Sequence, residues 1–115
     1  MVAMRVDVYA VAFLRRPVEP PDLPEAELNA LQERHLAYLA RLVEEGVVLV
    51  NGPFEGQPDQ SLRGMSIYRT SVEEAGRLAA EDPSVKAGRL GVEVFTWLMP
   101  AGSLGDRPAK TIDLE

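Results

Sequence analysis

Along this chain the spacing of apolar residues alternates between a period of two and a period near 3.6, and prolines or glycines stand at the changes. That order constrains the fold more than any other feature. Arg5 to Leu14 is rich in β-branched and aromatic residues and predicts a first strand. Pro17, Pro20 and Pro21 forbid further ladder pairing and mark a loop. A helix is expected from near Asp22–Pro24, with Glu25 and Glu27 at its positive end and Gly46 just past its last turn. Leu28, Leu31, His35, Leu39 and Leu42 recur three or four apart and form its apolar stripe. Val47–Phe54 predicts a second strand, Glu55–Arg63 a polar loop, and Gly64–Thr70 a third strand. Ser71 with Glu74 is a capping box that starts a second helix, which Pro83 ends. Ser84–Leu90 reads as a connector, and Gly91–Met99 as a fourth strand. The order is βαββαβ. It predicts an α+β, ferredoxin-like domain over residues 1–100, a four-stranded antiparallel sheet with both helices on one face. Residues 101–115 read as a polar C-terminal tail.

The sheet residues carry a second implication. The last strand puts Val92, Val94 and Leu98 on one face and Phe95, Trp97 and Met99 on the other. The first strand sets Ala10 and Ala12 against Val11 and Phe13. Two helices cover one face only, and an antiparallel sheet wetted on its other face alternates apolar with polar residues. These strands do not alternate. A second copy of the chain packed sheet to sheet is the expected cover, giving a homodimer or a higher homo-oligomer. A tail folded back over the sheet is the alternative, but it has few large apolar residues to offer.

Composition narrows the function classes. The 115 residues fit one domain, and with no cysteine there are no disulfides, thiolate metal sites or cysteine nucleophiles. One histidine does not make a zinc site, so no metal and no cofactor is expected. The formal charge of −6 disfavours nucleic acid, and the one basic pair seen is Arg15–Arg16. Neither a signal-peptide run at Met1–Asp7 nor a membrane-length apolar stretch is present, so a cytoplasmic protein that engages no membrane is expected.

His35 is the residue most suited to chemistry, because an unperturbed imidazole titrates near pH ~6.5 and serves as acid or base. Spacing alone leaves two readings open: a catalytic group, or a core histidine bonded to a backbone carbonyl. A catalytic imidazole needs a carboxylate to fix its tautomer. Asp82 is the candidate, although an Asp before Pro also simply ends helices. Gly52-Pro53 is either a plain turn or a place where backbone approaches a ligand. Asn51, Ser66 and Tyr68 are polar positions on apolar strands and either line a pocket or face solvent. Trp97 reads as interface or core.

Taken in order, Arg34-His35, Tyr38-Leu39, Leu42, Gly46, Gly52-Pro53-Phe54, Gly64, Glu73-Glu74-Ala75, Asp82-Pro83, Val85-Lys86-Ala87-Gly88 and Trp97 resemble the YCII-related (YciI-like) family, from about Arg5 to Met99. The resemblance implies a ferredoxin-like subunit in a dimeric α+β barrel, and a pocket holding His35 and Asp82 between helices and sheet. It also implies kinship with an enzyme type that eliminates hydrogen chloride during chloroaromatic breakdown and shared architecture with muconolactone isomerases. Two positions depart from the family's habit: Ser84 stands where an aromatic often follows Asp-Pro, and Thr96 where a second histidine often precedes the tryptophan. The expected function is a cofactor-independent lyase or isomerase, with His35 and Asp82 catalytic and Asn51, Gly52, Pro53 and Ser66 binding a small-molecule substrate. Two other classes compete: a non-catalytic ligand-binding or regulatory dimer, and a structural association module.

Overall fold

The first strand is apolar on both faces, and this places it at the centre of the sheet. In the computed structural model, which describes residues 4–105 and 108–114, β1 (Met4–Arg15) pairs antiparallel with three other strands. Residues 1–3, at the start of the expected domain, and 106, 107 and 115, in the expected tail, lie outside the described residues. β2 (Val48–Pro53), β3 (Leu62–Tyr68), β1 and β4 (Gly91–Pro100) follow one another across the sheet. α1 (Glu25–Glu44), α2 (Val72–Ala80) and the single turn α3 (Pro83–Lys86) are the helices. The expected α+β arrangement is therefore present, with the four strands and two main helices where the periodicity put them.

Local chemistry sets the element ends. Glu25 and Glu27 occupy the first turn of α1, where the helix dipole favours negative charge. At its other end Gly46 takes φ 76°; its N–H donates to the Val43 carbonyl and that of Val47 to the Leu42 carbonyl. This paired closure needs a left-handed residue, which glycine adopts without steric cost. At α2 the Ser71 hydroxyl accepts the Glu74 N–H at 3.1 Å. Glu74 does not return the bond as a full capping box would; its carboxylate pairs with Arg77 one turn on.

Between helices and sheet the core comprises Ala10, Ala12, Leu42, Val48, Tyr68, Ala75 and Ala79. Alanines on both β1 and α2 let the helix backbone approach the sheet closely. Burying the larger side chains contributes about 1.5–3 kcal/mol each. Tyr68, an open pocket candidate in the sequence, belongs to this core. It is 2% exposed, and burial pushes its phenol well above the ordinary value. On the opposite face lie Tyr9, Ile67 and Met99, with Leu49 and Met65 beside them. Phe95, Trp97 and Val50 on that face are 50%, 41% and 54% exposed.

The tail departs from its expected role as a polar appendage. Lys110–Leu114 forms a fifth strand, β5, on the N-terminal half of β1. The sheet face is not covered by it; the sheet is lengthened. Asp7, buried on β1, holds the returning chain by accepting the Gly102 N–H at 2.8 Å and the Thr111 hydroxyl at 2.6 Å. The Thr111 and Gly102 bonds hold its carboxyl below the usual carboxylate range. Among the described residues no helix is long and apolar enough to cross a membrane.

Candidate functional site

His35 sits on the buried stripe of α1 with Leu31, Leu39 and Leu42, 8% exposed. Its Nδ1 lies 2.7 Å from Oδ2 of Asp82, which is 2% exposed. The other carboxylate oxygen, Oδ1, accepts the Ser84 N–H at 2.9 Å and so caps α3. Asp82 therefore makes both contacts with one side chain. It starts a helix turn with one oxygen and meets the imidazole with the other. An ionised carboxylate has acceptors only, so opposite one a neutral ring carries its proton on Nδ1 and keeps its lone pair on Nε2. The alternative of a carbonyl-bonded core histidine does not describe this residue.

The imidazole forms part of the wall of a cavity of about 210 Å³ that lies between α1 and the β2–β3 hairpin. Asn51, Gly52, Pro53 and Ser66 line the same cavity. Asp82 does not; it stands behind the ring and positions it. A bulge between Val48 and Val50 turns Asn51 inward. It shifts the register so that Asn51 pairs with Ser66 on the helix side. Without it, strict alternation from Val48 would direct Asn51 to the other face.

Of the two glycines here, Gly64 is the one that needs to lack a side chain. A Cβ at Gly64 would lie 2.7 Å from the Gly52 carbonyl oxygen, whereas one at Gly52 meets nothing within 4 Å. Close approach therefore occurs, but it is backbone to backbone across the hairpin that frames the cavity.

Sequence reasoning missed Gln32, Leu36, Arg16 and Arg63, which also line the cavity. The signal for Arg16 was available in the alternation of β1. Arg15 and Arg16 are consecutive and project to opposite faces, so they do not form one basic patch. Arg15 is engaged by Glu93 and Asp59, and Arg16 turns to the cavity. Among the described residues no group of three or more His, Cys, Asp or Glu side chains is gathered to hold a metal ion.

Fold and site together define a split-βαβ α+β protein with a buried His–Asp pair at the wall of a small cavity. The chain belongs to the YCII-related domain family, whose pattern matches residues 10–98. A 3-demethoxyubiquinol 3-hydroxylase from Azoarcus sp. (strain BH72) is 32% identical over 113 residues, covering 87% of this chain. The chain spans about half the length of that relative, 54%. Among solved structures, the 5-chloro-2-hydroxyhydroquinone dehydrochlorinase of Burkholderia phenoliruptrix AC1100, in complex with 2,5-dihydroxybenzoquinone, is similar in fold. Its TM-score is 0.50 and its identity 22%, over 85% of this chain and 99% of that one.

Proposed function

We propose that the protein is a small enzyme of lyase or isomerase type, in which His35 moves a proton to or from a small organic molecule. The observation that carries this reading is the 2.7 Å contact of His35 Nδ1 with Asp82, which leaves Nε2 as the free nitrogen of a residue on the cavity wall. An imidazole held in this tautomer is a general base at Nε2, and its protonated form is stabilised by the carboxylate behind it. Removing a proton next to a carbonyl leaves an electron pair on carbon. That pair either returns with the proton at another carbon, an isomerisation, or expels a leaving group, an elimination. Asn51 and Ser66 supply hydrogen bonds to the substrate oxygen, and the Gly52-Pro53 backbone shapes the cavity edge. Membership of a family whose fold also houses a dehydrochlorinase favours proton chemistry over acyl transfer, for which no sequence motif places a nucleophile.

The same reading includes a homodimer. Phe95, Trp97 and Val50 form an exposed apolar surface on the face of the sheet opposite the helices, and sheet-to-sheet packing of two copies buries it. A ligand-binding dimer without turnover is the second reading, favoured by the open cavity.

The test uses 5-chloro-2-hydroxyhydroquinone and pyruvate as probes in D2O, with chloride release and C–H exchange followed by NMR. Release or exchange above the buffer rate, lost in His35→Gln, is the expected result. If the His35→Gln variant retains the rate, His35 does not move the proton; if neither probe reacts while both perturb the His35 ring signals, the cavity binds without turnover.

A further inference from the structure

Besides His35, the cavity brings together charges of one sign. Arg16 and Arg63 both line it, and Arg16 extends into an adjoining cleft of about 130 Å³ where it meets Arg89. In a chain of formal charge −6 this is a local reversal. Among the described residues none of the three guanidinium groups has a carboxylate within ion-pair distance, although Arg5, Arg15, Arg41 and Arg77 all do. Arg63 reaches only the Gln60 carbonyl at 3.2 Å, and Arg89 the Pro21 carbonyl at 2.7 Å. Burial first, and then the neighbouring charges of Arg89 and Arg63, hold the Arg16 guanidinium below the ordinary arginine range. Arg16 and Arg89 are half-buried and Arg63 is exposed beside them; like charges gathered without counter-charge among the described residues repel, and a bound anion relieves that repulsion.

We infer that the cavity takes a small single-ring organic anion, with its carboxylate or enolate oxygens held by Arg16 and Arg63 and its reacting carbon turned toward His35. Three observations join here. The arginines and the histidine share one cavity, so one molecule contacts both. Guanidinium groups offer paired N–H donors that match two oxygens of a carboxylate or of a hydroxyquinone enolate. A volume near 210 Å³ accommodates one ring. Cationic donors at an enolate also stabilise the charge that proton removal creates, which ties the anion site to the chemistry. This inference specifies the substrate class for the reading above and rests on it only for the last step, the orientation toward His35.

Calorimetric titration of the full chain with benzoate, its neutral analogue benzamide, and inorganic phosphate tests it. Benzoate is expected to bind about tenfold or more tightly than benzamide, and to weaken as chloride is raised. Arg16→Gln and Arg63→Gln each lose about tenfold or more in benzoate affinity, with benzamide unchanged. Arg41→Gln, on α1 outside the cavity, keeps benzoate binding, which shows that the loss is specific to the cavity arginines. Equal affinity for benzamide, benzoate affinity retained in the Arg16→Gln/Arg63→Gln double variant, or binding of phosphate but not benzoate overturns the inference. So does the absence of heat with every probe. Loss of benzoate in the arginine variants together with an inert His35 keeps the anion site and removes the enzyme reading.

Discussion

Asp82→Ala is expected to destabilise the protein by about 2–5 kcal/mol. The substitution removes one carboxylate and strands two donors: Nδ1–H of His35, in a residue 8% exposed, and the N–H of Ser84, 4% exposed. Each buried donor left without an acceptor costs about 1–3 kcal/mol. A domain of this size has roughly 5–15 kcal/mol in all, so the variant stands near the edge of folding. Asp82→Asn separates the two roles. Its amide oxygen still caps Ser84, so most of the helix-capping contribution survives. Its NH2 then faces Nδ1, so the ring must turn Nδ1 into an acceptor and move its proton to Nε2. Urea denaturation of both variants measures the difference. A loss below about 0.5 kcal/mol for Asp82→Ala, the range of ordinary surface changes, would mean that the pair contributes nothing.

The second large effect is expected at the other face. Trp97→Asp with Phe95→Asp converts the proposed dimer to monomer. Phe95 stacks edge-on against Phe13 at 6.0 Å, and with Val11, Met65 and Trp97 it lines a shallow apolar groove. A carboxylate placed in a dry interface costs several kcal/mol unless it is paired, and here each copy brings two. Sedimentation at micromolar concentration is expected to give about twice the chain mass of 12.6 kDa for the parent and the single mass for the double variant. Near-identical circular dichroism in the two proteins would show that the subunit fold survives. A parent that sediments at the single mass contradicts the sheet-pairing argument outright.

The architecture was legible because each element has its own local signature: β-branched alternation, the α1 stripe, Ser71 as a cap, and proline or glycine at the ends. His35, Asn51, Gly52, Pro53 and Ser66 were legible as candidates for a related reason. They are polar or backbone-exposing residues on otherwise apolar elements, and they meet in one cavity. Asp82 was legible both as a helix-ending residue and as the candidate carboxylate for His35, but the contact itself spans 47 positions, which spacing does not encode. Arg16 was seen only as half of a basic pair, and Arg63 escaped notice because exposed arginines are common; the absence of counter-charges among the described residues sets both apart. The fifth strand escaped because Thr111 and Ile112 make too short a pattern, and its anchor, Asp7, lies 104 residues from Thr111. Tyr68 misled in the opposite direction, since a phenol on a strand resembles a pocket residue until its neighbours are seen to be core.

The proton chemistry proposed for the site depends on Asp82 holding the proton of His35 on Nδ1. Because the chain has one histidine, long-range 1H–15N NMR of its imidazole reads that residue alone. The neutral ring is expected to carry its proton on Nδ1 and none on Nε2, with the two nitrogens exchanging roles in Asp82→Asn. A parent ring protonated on Nε2, or a tautomer unmoved by Asp82→Asn, would contradict it.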